Sequence, residues 1–219
     1  METETEEEYK ARLDGLALER EAQRRADIAR NFIKGAGFPL ITDRLMLENI
    51  ERDEPAYGIA TNFVKNFNAQ YGEGLLFVGV KGCGKTTLAV CIGKAICARG
   101  LSVKFTSMAK IMLDIEKTYK SKSTTAEDVI SEIISKDLLI IDDFPRVALT
   151  ERRIESAHLL IDELYNGRKS VIITANPEQI ALFKENVLLS AANDRLRVMC
   201  PTVRFADKNF RERSVKKYD

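Results

Sequence analysis

The chain has 219 residues, 45% of them hydrophobic, with 34 basic and 33 acidic side chains and a net charge of +1. Enough apolar residue is present for a real core, which excludes global disorder. The charge balance neither requires nor excludes nucleic acid; a local basic patch would have to carry such binding. No apolar run approaches the roughly 20 residues of a membrane span, and the acidic start METETEEEYK is the opposite of a signal peptide. A cytoplasmic protein is expected, with one large domain or a domain and an appendage. The four cysteines, Cys83, Cys91, Cys97 and Cys200, form no C-x-x-C pair, and His158 is the only histidine. The cysteines therefore read as reduced packing residues rather than zinc ligands.

Residues 1–34 are highly charged, with a thin apolar stripe of Leu18, Ile28, Phe32 and Ile33, and predict a helix ending near GAGFP. Such a helix is either a solvated element packed on its own domain or an arm that binds a partner. From about residue 55 the chain alternates strands and helices. LLFVGV (75–80) predicts a buried strand, and the helix after it carries Leu88, Ile92, Ala95, Ile96 and Arg99 on one face, with Gly100 at its C-terminal cap. VKFT (103–106) predicts a second strand. Ser107 caps a helix bearing Met108, Ile111, Met112, Ile115 and Tyr119, and TAED (125–128) is a capping box opening a helix with Val129, Ile130, Ile133 and Ile134. LLII (138–141), a helix over 151–166, VIIT (171–174) and TVRF (202–205) complete the series. Short apolar strands without polar alternation suit a parallel sheet covered on both faces, joined by right-handed crossovers. The expected fold class is α/β with five parallel strands.

GVKGCGKT, from Gly79 to Thr86, fits G-x-x-x-x-G-K-[ST] between a strand and a helix. Glycines there let backbone N–H groups converge on phosphate oxygens, and the helix N-terminus adds its positive dipole end. The loop residues Gly79, Gly82, Cys83 and Gly84, with Lys85, Thr86 and Thr87, form the expected triphosphate cradle. Lys85 would reach the β- and γ-phosphates and Thr86 would ligate Mg2+. ATP and Mg2+ are the expected cofactors.

The strand LLII ends in Asp142 and Asp143. Consecutive strand residues project to opposite sides, so the two carboxylates are expected to divide the work: Asp142 on the Mg2+ shell, Asp143 orienting or deprotonating the attacking water. Ligands of open parallel sheets sit at the carboxyl ends of strands, where this pair and the phosphate loop both lie. Asp143 is one methylene shorter than glutamate, so slow hydrolysis is expected. Asn176 ends the strand VIITAN, where it could face the γ-phosphate or the water. Arg195 and Arg197 in NDRLR, and Arg211 near the C-terminus, could supply transition-state charge. An N-K-x-D motif and an LSGGQ signature are both absent from the sequence, which argues against Ras-type GTPases and transporter ATPases. An arginine-rich lid, as in metabolic kinases, is missing too.

Together, FVGVKGCGKTTLAVCIGKAICARGLSVKFTSMAKIMLDIEKTY, DLLIIDDF, VIITAN, NDRLR and FADKNFRER resemble the AAA+ ATPase core of DnaC-type replicative helicase loaders, close kin of IstB-type transposition helpers. The resemblance covers about residues 37–214. It implies an arm at 1–36 and an AAA+ ATPase domain at 37–219. It implies Lys85 and Thr86 as the Walker A pair, Asp142 and Asp143 as Walker B, Asn176 as sensor 1, Arg195 as an arginine finger acting in trans and Arg211 as a sensor 2 arginine. The helix from Ser107 to Tyr119 matches an extra element shared by initiators and loaders. DDFP in place of DDLG, TAN in place of TSN, and a short arm without a zinc module depart from the usual pattern. Further implications are ATP-dependent self-assembly, a hexameric helicase held by the arm, and single-stranded DNA along Lys110, Lys117, Lys120, Lys122, Arg152 and Arg153. An IstB-type helper for a transposase, and a nucleotide-gated adaptor that scarcely hydrolyses ATP, are the alternatives.

Overall fold

The computed structural model describes residues 6–50, 55–119, 123–144, 150–185, 189–206 and 209. Lys120, Lys122 and Arg211 lie outside these residues. Five strands, β1 (Gly74–Val78), β2 (Val103–Ser107), β3 (Leu138–Asp142), β4 (Val171–Ala175) and β5 (Thr202–Arg204), form one sheet in the order β2-β3-β4-β1-β5, every neighbouring pair parallel. The helices are α1 (Glu6–Gly35), α2 (Pro55–Asn66), α3 (Lys85–Ala98), α4 (Met108–Thr118), α5 (Ala126–Ile134), α6 (Glu151–Asn166), α7 (Pro177–Glu185) and α8 (Ser190–Met199). The five parallel strands flanked by helices are those the sequence predicts. α2, α7 and α8 are additions to the expected series.

Each strand divides its side chains between two cores, as the period of two requires. Leu75 and Phe77 of β1, Leu138 and Ile140 of β3 and Ile172 of β4 face α3, with Leu88, Ile92 and Ile96. Leu76, Val78, Leu139, Ile141 and Ile173 face the opposite layer of α4, α5, α6 and α8. The caps form as the sequence predicts. The Ser107 hydroxyl accepts from the Lys110 N–H at 3.2 Å, and Thr125 and Asp128 satisfy one another's backbone N–H groups.

The expected single apolar face of α3 proves too narrow. Ala89, Val90, Cys91, Gly93, Lys94 and Cys97 are buried as well, because α2 and the end of α1 cover the side away from the sheet. Lys94, 3% exposed, serves as a clamp: its ammonium donates to Thr42 O at 2.5 Å, Asp43 O at 2.9 Å and Leu45 O at 3.0 Å. Three carbonyls satisfy the three donors of an ammonium. The clamp fixes the segment between α1 and α2, with its 3-10 turns at Leu40–Thr42 and Leu47–Asn49, onto α3.

α1 is 30 residues long, about 45 Å at the standard helical rise. Its beginning carries exposed Tyr9, Leu13, Leu16 and Leu18, whereas Phe32 and Ile33 pack against the α3-side core. Ala36 is fully buried, and its carbonyl accepts from the Phe105 N–H of β2 at 2.7 Å. The polypeptide around residue 36 is thus packed against the sheet layer, and α1 projects from there.

Candidate nucleotide site

The sheet order sets the geometry of the carboxyl edge. β4 lies between β3 and β1, so whatever ends β4 falls between the acidic pair and the phosphate loop. Gly82 and Gly84 have φ of +83° and +95°, a backbone that only glycine adopts at low cost. A Cβ at Gly79 would lie 2.7 Å from Cys83 Sγ and 2.8 Å from Phe205 Cβ. These constraints curl the loop over the start of α3. No side chain caps α3 at Gly84, which leaves its first N–H groups for a ligand.

Lys85 is 6% exposed. Its ammonium donates to Gly79 O at 2.7 Å, Val80 O at 2.8 Å and Asn176 Oδ1 at 3.1 Å, and Cys83 Sγ stands 3.8 Å away. A buried cation held only by neutral acceptors is an electrostatic invitation to an anion. The same contact places Asn176 beside the loop, as its position at the end of β4 requires. Asn176 also opens α7: its carbonyl accepts from Gln179 N–H at 3.1 Å and its N–H donates to Gln179 Oε1 at 3.1 Å. Thr87 follows as the half-buried third residue of α3.

Thr86 Oγ1 donates to Asp142 Oδ1 at 2.8 Å. A second hydroxyl, Thr174 Oγ1 on β4, donates to the same Oδ1 at 2.6 Å and accepts the Asp143 N–H at 3.0 Å. Asp143 has already left the strand and has φ of +54°, a left-handed turn that aspartate tolerates better than most residues. The backbone therefore leaves the strand between the two aspartates, so the strand alternation expected of the pair does not extend to Asp143. Thr174 is not among the residues that the sequence motifs single out. Its signal is a polar residue inside the otherwise apolar VIIT, on the face that also carries Asp142.

The residues fit a nucleoside triphosphate with Mg2+: an anion cradle with a buried ammonium, beside a hydroxyl and a carboxylate suited to a hard cation. Among the described residues no group of three or more His, Cys, Asp or Glu side chains forms a metal cage. Mg2+ characteristically takes one or two protein oxygens plus phosphate oxygens.

The remaining expected site residues lie elsewhere. Arg195, on α8, pairs with Asp162 of α6 at 2.7 Å and stands over the Tyr165 ring at 5.9 Å. That pair is one of charge rather than of a directed hydrogen bond. His158 approaches the other Asp162 oxygen at 3.3 Å. Lys110 and Lys117 on α4 both pair with Asp114, at 2.7 and 2.9 Å. Burial opposes ionisation of Asp114, but hydrogen bonds from Lys110 and Lys117 and their charges hold its carboxyl below the usual range. Arg153 pairs with Glu116 at 2.8 Å, and the Arg152 guanidinium lies 5.6 Å from the Tyr119 ring centre. The start of α6 thus joins the end of α4 in one surface of cations and an exposed aromatic.

The profile of the IstB-like ATP binding protein family matches residues 2–217. The replicative helicase loader DnaC of Escherichia coli K12 is 28% identical over 146 residues, 64% of this chain and 56% of the loader. An insertion sequence ATP-binding protein of Sinorhizobium fredii is 31% identical over 128 residues, 57% of this chain and 42% of that protein. The chain spans about half the length of the curated relatives it matches. The crystal structure of the DnaC helicase loader superposes with a TM-score of 0.68 at 23% identity, covering 77% of this chain and 100% of that one. The fold is that of the AAA+ domains of DnaC and DnaA. Among the described residues no helix is long and apolar enough to cross a membrane.

Proposed function

Because the chain belongs to the IstB-like ATP binding protein family, we propose that it is an ATP-driven loader that places a hexameric replicative helicase on single-stranded DNA in replication initiation. One observation carries the reading. Lys85, Asn176, Thr86 and Asp142 are joined by hydrogen bonds at one sheet edge, in a chain related to helicase loaders.

In this reading Lys85 holds the β- and γ-phosphates of ATP, with loop N–H groups from Gly79 to Thr87 around them. Thr86 and Asp142 hold Mg2+, which neutralises phosphate charge when bound. Asp143 orients or deprotonates the attacking water, and Asn176 exchanges its bond to Lys85 for one to the γ-phosphate or the water. Arg195 of a neighbouring copy supplies transition-state charge, which makes turnover depend on assembly; Arg211 completes the set. Arg195's own contacts, Asp162 and Tyr165, lie on α6 rather than on the phosphate loop, which supports action in trans.

Single-stranded DNA would run along Lys110, Lys117, Arg152 and Arg153, with Lys120 and Lys122 between them in sequence. Asp114 and Glu116 already neutralise part of this surface, so DNA phosphates would displace them. The projecting start of α1, with its exposed Tyr9, Leu13 and Leu16, would hold the helicase. ATP turnover measured with and without single-stranded DNA tests the reading. Stimulation by DNA that fades steeply with added salt is expected. Turnover indifferent to both would contradict it.

A second reading, an ATP-dependent helper for a DNA transposase, is favoured by the similarity to an insertion sequence ATP-binding protein. The same nucleotide chemistry serves both, and the partner alone separates them.

A further inference from the structure

We propose that Thr174 is a positioning residue: its single hydroxyl sets both the carboxylate that holds Mg2+ and the turn that aims Asp143. The inference rests on the assignment of Asp142 to the metal given above.

A fully buried threonine in the middle layer of a sheet needs a reason. β4 is otherwise Val171, Ile172, Ile173 and Ala175, and valine would fill the same volume without a polar atom. Thr174 is 0% exposed and stands opposite Phe77 of β1 in the register. A threonine hydroxyl has one proton and two lone pairs. Here the proton goes to Asp142 Oδ1 at 2.6 Å, and a lone pair takes the Asp143 N–H at 3.0 Å. One oxygen on β4 therefore grips two consecutive residues at the end of β3.

Two consequences follow from these contacts. First, Thr86 and Thr174 both donate to Oδ1, so the Asp142 carboxylate is held from α3 on one side and from β4 on the other. Both of these hydrogen bonds fall on Oδ1, which leaves Oδ2 as the oxygen available to a cation. Hydrogen bonds of this kind, to groups that ligate a metal, commonly change metal affinity by ten- to a hundredfold. Second, the Asp143 backbone lies in the left-handed region, φ +54°. Its N–H is anchored to Thr174 Oγ1, and the next N–H, that of Phe144, donates to Thr174 O at 2.8 Å. Thr174 thus ties down both sides of the backbone turn at Asp143. Metal placement and water placement share one anchor.

The test compares wild type with Thr174→Val, Thr174→Ser and Asp142→Asn, in the full-length chain. The affinity for a fluorescent ATP analogue is measured with Mg2+ and with EDTA, alongside the melting temperature without nucleotide. Thr174→Val is expected to keep the metal-free affinity within about twofold and to lose about tenfold of the Mg2+ enhancement. Thr174→Ser, which restores the hydroxyl, is expected to regain it, whatever its melting temperature. Full Mg2+ enhancement in Thr174→Val, or a Thr174→Ser variant as defective as Thr174→Val, overturns the proposal. Asp142→Asn separates the metal assignment of Asp142 from the role of Thr174. If it too keeps the full enhancement, the metal assignment falls and Thr174 falls with it. If it loses the enhancement while Thr174→Val does not, only the role of Thr174 is refuted.

Discussion

Two lysines of α3 are almost completely buried, and they illustrate opposite uses of the same side chain. Lys94 has its three donors taken by three carbonyls of its own chain, so its work is structural. Lys94→Met leaves those carbonyls unpaired and is expected to lower the stability by about 2–3 kcal/mol, read as a shifted denaturation midpoint with ATP-analogue affinity largely preserved. Lys85 has neutral partners too, but one of them is Asn176, in the mouth of the site. Its contacts are ones that an anion can replace. Asp143 divides from Asp142 by its left-handed turn. Asp143→Asn keeps the charge-independent backbone anchor to Thr174 and the whole cradle. It is expected to bind the ATP analogue within a fewfold of wild type and to lose phosphate release by about a hundredfold or more. Unchanged phosphate release would remove Asp143 from the chemistry.

Among the elements, those with a strong period and good punctuation were legible in the sequence. β1, β3 and β4 are short apolar runs, α4 and α5 are capped by Ser107 and Thr125, and Gly100 ends α3 with φ of +80°. α2, α7 and α8 were not legible. α2 buries Ala56, Ala60 and Phe63 at helical spacing, but two of the three are alanines and Gly58 and the exposed Ile59 blur the pattern; α8 buries Ala192, Leu196 and Met199, so each stripe is thin. Tertiary packing decides them: α2 lies on α3 and α8 on α6. The phosphate loop and the acidic pair were legible because their chemistry is written in adjacent residues. Thr174 was hidden because its role depends on which strand lies beside β3, which the sequence does not state. The pairing of α6 with α8 also gives Arg195 its setting against Asp162 and Tyr165. Arg195→Ala is expected to bind ATP normally, yet to show none of the rise in specific turnover with protein concentration that wild type shows. Wild-type turnover at every concentration would end the finger assignment.

Over the whole molecule, the charges nearly cancel and the cysteines are interior. All four are free and buried. Burial pushes the thiols of Cys91 and Cys97 up to about 11 and that of Cys200 to about 12, from 9.0. Well below pH 9 these thiols are protonated in folded and unfolded chains alike. Between pH 9 and 11 the unfolded chain releases protons that the folded chain retains, so stability falls with rising pH. Melting curves in reducing buffer are expected to be flat near pH 8 and to decline above 9, less steeply in Cys97→Ala. An equal slope in that variant would contradict the burial account.

The proposed function turns on a partner, the replicative helicase. The protein is mixed with a hexameric replicative helicase, and the mass in solution is determined by light scattering after size exclusion, with ATP, with ADP and without nucleotide. A stable complex is expected that forms with ATP, weakens with ADP and is lost when residues 1–25 are deleted. No complex with the helicase under any nucleotide, in protein that still binds ATP, would contradict it.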